Sequence, residues 1–157
     1  MSKKEIYLVE DSSDFRQLVR GIFTEFLPGY HVRFFQGAQE LYRYMVLQSA
    51  EQFKGRRPGL IILDLQLPVM NGLDLLKLVR QTPPNAETEW KTIPIVILSS
   101  TAGQEDIDRC HQAGANSFFI KPVEVEELHA LLETMCRRWI DGKGHANEDI
   151  PSQLRAQ

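Results

Sequence analysis

Four short apolar runs in this chain stop abruptly on side chains able to handle a metal ion or an anion. Residues 6–9 lead into Glu10 and Asp11, 60–63 into Asp64, 93–98 into Ser99, and 117–120 into Lys121. Runs of this length suit buried strands. The carboxyl ends of parallel strands lie along one sheet edge, where open α/β sheets place their chemistry. Glu10, Asp11 and Asp64 would crowd there, and three carboxylates repel one another unless a cation neutralises them. Magnesium suits such an oxygen-only set, because it binds through one or two carboxylates and keeps several waters. Lys121 is long enough to reach across from an outer strand, and Ser99 adds a hydroxyl beside it. The set makes a seat for an oxyanion opposite a metal ion. On these grounds alone Asp64 is a nucleophile or a metal ligand.

The elements that must position these residues are legible from periodicity. Phe15, Leu18, Val19, Ile22, Phe23, Phe26 and Leu27 recur at three- and four-residue intervals, which predicts a helix with one apolar face. Ser12, Ser13 and Asp14 supply N-cap chemistry before it, and Pro28-Gly29 ends it. A second strand follows over 31–35 and a helix over 38–47, with Leu41 and Met45 on one side. The polar stretch 48–58 reads as a loop before the run ending on Asp64. Pro68 and Gly72 mark a turn, after which Leu73, Leu75, Leu76, Leu78 and Val79 predict a third helix. Pro83-Pro84 must break that helix, and the long connection to Thr92 is expected to hold a turn around Trp90. Pro94 should stand at the entry of the fourth strand. A short helix over 103–112 is closed by Gly114, the fifth strand covers 117–120, and a last helix runs over 125–140. Val125, Leu128, Leu132, Met135 and Trp139 form its predicted core stripe.

Strand and helix alternate five times, which predicts a doubly wound parallel sheet of five strands with helices on both faces. One domain over residues 1–140 holds the whole pattern. Residues 141–157 lack periodicity and are expected to have no fixed structure.

Composition narrows the function classes. The chain has 157 residues, a net charge of −3 and a pI near 5.8, which gives no basic footprint for nucleic acid. Cys110 and Cys136 form neither a disulfide framework nor a zinc site, and reduced thiols fit a cytoplasmic location. No apolar segment is long enough to span a bilayer. His31, His111, His129 and His145 are dispersed, without metal-ligand spacing on a shared face.

Glu10-Asp11, Asp64 with Pro68 and Gly72 behind it, Ser99 and Lys121-Pro122 together resemble the receiver domain of two-component response regulators. The resemblance covers residues 5–140, with every element in order. It implies a flavodoxin-like sheet of order 2-1-3-4-5 and a phosphoacceptor at Asp64, which would take its phosphoryl group from a sensor histidine kinase. It further implies Mg2+ (or Mn2+) held by Asp11, Asp64 and the backbone carbonyl of Gln66, with Glu10 acting through a water. Ser99 and Lys121 would contact phosphate oxygens, Phe118 would be the aromatic switch residue, and the Lys121–Pro122 bond would be cis. Glu10 stands where the family more often has aspartate, and Gln66 and Ser100 sit near the attacking water's path.

The tail is too short for a DNA-binding module, so a single-domain regulator with protein partners is expected. The resemblance extends to regulators partnered with bacterial phytochrome-type kinases, implying a monomer or a homodimer through helix 4, strand 5 and helix 5. Three readings compete: a terminal switch, a relay intermediate or phosphate sink passing phosphate to a histidine phosphotransfer protein, and an aspartyl phosphatase. The last needs an acid two residues after its nucleophile, where this chain has Gln66. A flavin site is disfavoured, since acids occupy the loop after strand 1 where a flavin phosphate needs amides. The chain is expected to promote only its own phosphorylation and dephosphorylation.

Overall fold

Alternation along the strands decides which helices cover which face of the sheet. The computed structural model describes residues 4–48, 58–81, 92–101, 103–142 and 155–156. In chain order these form β1 (Lys4–Val9), α1 (Ser13–Phe26), β2 (Tyr30–Phe35), α2 (Ala38–Gln48), β3 (Leu60–Leu63) and α3 (Gly72–Gln81). They continue as β4 (Ile95–Ser99), α4 (Gln104–Gln112), β5 (Ser117–Ile120), α5 (Val125–Met135) and β6 (Arg155–Ala156). The strand order is β2-β1-β3-β4-β5-β6, and the first five strands pair in parallel. The order 2-1-3-4-5 expected from the sequence is therefore present.

Tyr7, Val9, Ile61, Leu63, Ile97 and Phe118 pack on one face with Leu41 of α2, Leu75 of α3 and Ile107 of α4. Ile6, Leu8, Ile62, Val96, Leu98 and Phe119 pack on the other with Val19 of α1 and Leu132 of α5. Burial on both faces is why the strands read as unbroken apolar runs. The punctuation also holds. Ser12 Oγ accepts the Phe15 amide at 3.2 Å as the N-cap of α1. Gly114, with φ of +110°, follows α4 in the left-handed region that favours glycine. Pro94 stands just before β4.

The sheet does not stop at five strands. Arg155–Ala156 pairs antiparallel with β5, opposite Phe119 and Phe118, which adds a two-residue edge strand to the five parallel strands expected from the sequence. The outer edge of β5 would otherwise present backbone groups ready to pair with another strand. Residues 143–154 and 157, most of the loop over 48–58 and the expected turn at Trp90 lie outside the described residues.

Three expectations about helix faces need correction. The last helix is not α-helical to residue 140, because α5 gives way at Cys136–Ile140 to a wider π turn. Val125 is 48% exposed rather than in the core stripe, which is made by Leu128, Leu131, Leu132 and Met135; it lies in the first turn, ahead of the part that meets the sheet. On α1, Leu18 and Phe26 are exposed, and burial narrows to Val19, Ile22 and Phe23. Trp139 is half-buried with its ring edge-on to Phe119, the centroids 6.0 Å apart, and so serves as a helix-end anchor.

Candidate functional site

Strand register brings the polar strand ends together. Val9 stands opposite Leu63 in the β1–β3 ladder, and the Asp64 amide donates to the Val9 carbonyl at 3.1 Å. Glu10 and Asp64 consequently leave adjacent strands side by side. On the far side Ser99 pairs with Ile120, and the Lys121 amide donates to the Ser99 carbonyl at 2.8 Å. Residues far apart in sequence become neighbours because parallel strands start and stop in step.

Glu10 is 2% exposed and Asp64 5% exposed, whereas Asp11 faces solvent. One oxygen from each of the three carboxylates lies within 4.8 Å of the others. Lys121 Nζ sits 2.5 Å from Glu10 Oε1 and 3.4 Å from Asp64 Oδ2. Burial pushes Glu10 above the ordinary glutamate range, the Lys121 hydrogen bond only partly offsetting it. Burial alone would lower the Lys121 ammonium, but Glu10 and Asp64 together hold it raised. A single lysine against three acids leaves an excess of negative charge in a recess. The donor set is all oxygen and fits a divalent cation such as Mg2+ or Mn2+. Among the described residues, no other group of His, Cys, Asp and Glu has this geometry.

The flanking loops fix these carboxylates. The Gln66 amide donates to Asp64 Oδ1 at 3.1 Å, which seats residue 66 beside the carboxylate. Gly72 closes the loop after β3: its amide bonds to the Leu65 carbonyl at 2.9 Å, and a Cβ there would stand 2.3 Å from the Asp64 carbonyl oxygen. Only glycine allows that approach. Ser99 is fully buried at the end of β4, its Oγ accepting the Thr101 amide at 3.3 Å. Thr101 Oγ1 in turn accepts from Gln66 Nε2 at 2.8 Å, a clasp between the loops after β3 and β4. Neither Ser100 nor Thr101 caps α4, whose N-cap is Gly103. Phe118 is fully buried beneath this corner.

One expected feature is absent. No peptide bond among the described residues is cis, so Lys121–Pro122 is trans, the form ordinarily favoured by about 0.5–1 kcal/mol. Lys121 reaches both acids with the bond in that form.

Several contributors escaped the sequence reading. The Ser12 amide donates to Glu10 Oε2 at 3.0 Å, and Arg16 Nη1 donates to the Glu10 carbonyl at 2.7 Å. Lys121 Nζ lies 4.7 Å from the centroid of the Phe15 ring, a cation–π contact that backs the lysine. Phe15 falls within the apolar periodicity of α1, which marks it as core and masks this contact. Nothing in the sequence marks Arg16 as a partner of a backbone carbonyl.

The chain is similar to known proteins in sequence and in fold. The family model described as the response regulator receiver domain matches residues 6–133. The KDP operon transcriptional regulatory protein KdpE of Escherichia coli is 32% identical over 133 residues, covering 85% of this chain and 51% of that one. The two-component response regulator ARR3 of Arabidopsis thaliana is 34% identical over 90 residues, 57% of this chain and 37% of that one. The chain thus spans about half the length, or less, of these two curated relatives. Among solved structures, the phosphorylated cyanobacterial phytochrome response regulator RcpA superposes with a TM-score of 0.76 at 24% identity, over 91% of this chain and 98% of that one. The chemotaxis response regulator CheY4 of Vibrio cholerae gives a TM-score of 0.65 at 26% identity, over 87% and 98%.

Proposed function

This chain belongs to the response regulator receiver domain family, and from that premise we propose that it is a phosphorylation switch whose phosphoacceptor is Asp64. The observation that carries the reading is the recessed Asp64 carboxylate, gathered with Glu10 and Asp11 and with Lys121 Nζ 3.4 Å from it and 2.5 Å from Glu10. A carboxylate that shares its recess with a cation seat and an ammonium is set for attack on phosphorus. An Asp64 oxygen attacks in line while the P–N bond of a donor phosphohistidine breaks, its electron pair staying on the imidazole nitrogen. Phosphoryl transfer is largely positioning and neutralisation of equatorial oxygens, so no general base is required. Lys121 supplies one neutralising charge, and Ser99 turns its hydroxyl from the Thr101 amide toward a phosphoryl oxygen. A divalent ion held by Asp11, Asp64 and the Gln66 carbonyl, with Glu10 through a water, would supply the remaining neutralisation.

Phe118 is fully buried on β5, its ladder partner Ile97 standing two residues before Ser99 on β4. A shift of Ser99 repacks this corner and reshapes the surface of α4, β5 and α5. That surface is the proposed output, read by a protein partner or by a second copy of the chain. The likeness to RcpA in fold supports a phytochrome-type histidine kinase as donor. The chain acts only on itself, gaining and losing its own phosphoryl group, and works in the cytoplasm; among the described residues, no helix is long and apolar enough to cross a membrane.

The test is direct. Wild type incubated with magnesium and acetyl phosphate should gain the mass of one phosphoryl group, and Asp64→Asn should gain none. Equal labelling of the mutant would move the site elsewhere. Size measurement with and without a beryllofluoride mimic then reads whether the switch sets a monomer–dimer balance.

A further inference from the structure

The first turn of α1 is tied to the reactive corner more closely than a covering helix requires. Ser12 Oγ accepts the Phe15 amide at 3.2 Å, and the Ser12 amide itself donates to Glu10 Oε2 at 3.0 Å. Arg16 Nη1 donates to the Glu10 carbonyl at 2.7 Å. Phe15 lies between Ser12 and Arg16 in this turn, so its backbone is anchored to the strand end that carries Glu10.

The anchored turn brings an aromatic ring to Lys121. Nζ lies over the Phe15 ring, 4.7 Å from its centroid, within the distance at which a ring face attracts an ammonium. Phe15 is half-buried against the core on the face covered by α1 and α5, and the Lys121 side chain is only 16% exposed. An ammonium shielded from water in this way is attracted more strongly than one on an open surface. The apolar face of α1 does not itself call for a ring here. Leucine would continue the same periodicity with better helix propensity and would lack the quadrupole.

This contact differs in kind from the other two that Nζ makes. Glu10 Oε1 at 2.5 Å and Asp64 Oδ2 at 3.4 Å are directional acceptors. When Asp64 takes a phosphoryl group, the oxygens facing the ammonium are replaced by others in new positions. A ring face attracts a cation without fixing the direction of any hydrogen bond, so it can hold Nζ while the acceptors change. Phenylalanine also has no side-chain donor or acceptor of its own, and so does not compete for the ammonium protons.

We propose that Phe15 is a positioning residue for phosphoryl transfer, acting through Lys121. Its ring keeps the ammonium in the recess and shields it from water while its hydrogen bonds pass from Glu10 and Asp64 to a phosphoryl oxygen. This inference rests on Asp64 being the phosphoacceptor and on Lys121 meeting the phosphoryl group.

The test varies positions 15 and 121 together, with magnesium and a range of acetyl phosphate concentrations. Phe15→Leu should lower the maximal labelling rate about fivefold, the scale of one shielded cation–π contact. The half-saturating donor concentration should stay within about twofold, because the loss falls where charge develops on the phosphoryl oxygens. Phe15→Tyr keeps the ring face and should recover the wild-type rate to within about twofold. In a Lys121→Met background Phe15→Leu should cost nothing further, since its effect passes through the lysine. A purely structural role gives the opposite pattern, with Phe15→Leu slowing Lys121→Met by the same factor as wild type. That result overturns the proposal, as does an unchanged rate in Phe15→Leu or a failure of Phe15→Tyr to recover it. A nuclear magnetic resonance measurement on wild type needs no variant to fold. Magnesium and beryllofluoride should move the Lys121 ammonium resonance and leave the ring-current shift of its Cε protons in place. Loss of that ring-current shift in the beryllofluoride state also overturns the proposal. A wild type that gains no label on Asp64 removes the phosphoacceptor reading and this proposal with it. A labelled wild type with an indifferent Phe15→Leu removes this proposal alone.

Discussion

At the amino end of the sheet Asp141 accepts the Tyr30 hydroxyl at 2.5 Å on one oxygen and pairs with Lys4 through the other. At the carboxyl end Glu10, Asp11 and Asp64 gather with Lys121 against two of them. Both are acid–lysine clusters built from residues far apart in sequence. The first is balanced: the oxygens of one acid are matched by an ammonium and a hydroxyl, and the contact ties the exit of the π turn to the starts of β1 and β2. The second carries more negative charge than its lysine can offset, and two of its acids are buried. Balance closes a fold, whereas an excess of one sign, held in place by the sheet, is a demand for a ligand. The difference separates a structural latch from a site.

Removing the lysine from each cluster should break the symmetry most sharply. Lys121→Met should lower the rate of magnesium-dependent labelling by acetyl phosphate about 10²-fold, the scale for losing one preorganised charge at a developing oxyanion. Lys4→Met should leave that rate unchanged, because its cluster lies at the other end of the sheet. A labelling rate that falls in both variants would mean that the two ends are coupled.

Magnesium offers the second contrast. An ion that binds only the folded chain stabilises it by about 2.7 kcal/mol at a hundred times its dissociation constant. That increment should appear in urea denaturation of wild type and Asp141→Asn alike, and shrink strongly in Asp11→Asn and Asp64→Asn. Without magnesium the same two variants should unfold at equal or higher urea than wild type, since each removes one repelling charge. A magnesium increment that depends on Asp141 would erase the distinction drawn between the clusters.

The carboxyl-end cluster could be read from sequence, and the amino-end cluster could not, for a geometric reason. Glu10, Asp64 and Lys121 each follow a strand and Ser99 ends one, and parallel strands bring their carboxyl ends to one edge. Asp141 follows a helix whose last turn is wider than an α-helix, so its direction depends on a π turn that no periodicity announces. Tyr30 and Lys4 begin strands, and the starts of strands carry no comparable signal. The sixth strand was missed because Arg155–Ala156 is too short to alternate and is recruited by the β5 edge rather than by its own pattern. The γ-turn at Val69, where the Met70 amide bonds to the Pro68 carbonyl at 2.8 Å across a φ of +66°, was hidden because valine is a residue that local propensity would keep out of it. The trans Lys121–Pro122 bond is a departure of another kind, a family expectation carried over that this chain does not follow.

Alkaline titration should show the balanced cluster at work. Burial, followed by the hydrogen bond to Asp141, raises the Tyr30 hydroxyl well above its ordinary range. In the unfolded chain a tyrosine loses its proton at its ordinary value, about pH 10. Above that pH the folded chain keeps a proton that the unfolded chain has lost, so stability must fall as pH rises. The contribution of Tyr30 is complete below about pH 10 and disappears toward its folded value. Tyr30→Phe should flatten this slope in urea midpoints taken between about pH 9 and 11. At neutral pH Asp141→Asn should cost about 1–2 kcal/mol, the range for one charge-assisted hydrogen bond with a half-exposed partner. A slope that survives Tyr30→Phe would assign it to other groups and leave the latch reading without support.

The smallest expected effect concerns the rim of the charged cluster. Gln66 Nε2 is held by Thr101 Oγ1 at 2.8 Å, which closes the loops after β3 and β4 over one side of Asp64. Water attacking an acyl phosphate on Asp64 must pass this rim, so the clasp bears on phosphoryl lifetime rather than on uptake. Thr101→Val keeps the side-chain shape and deletes the acceptor. Both partners are solvent-exposed, so the bond contributes at the low end of the range for neutral hydrogen bonds, about 0.5–1 kcal/mol. Loss of phosphoryl label after donor removal should accelerate about threefold in Thr101→Val, with the urea midpoint lowered by only about 0.25–0.5 M. Gln66→Ala should give the same acceleration, and the double variant no more than either single one, because both remove one interaction. Additive acceleration in the double variant would show that Gln66 and Thr101 act on the water separately. The charged cluster would then set lifetime through two independent side chains instead of one clasp.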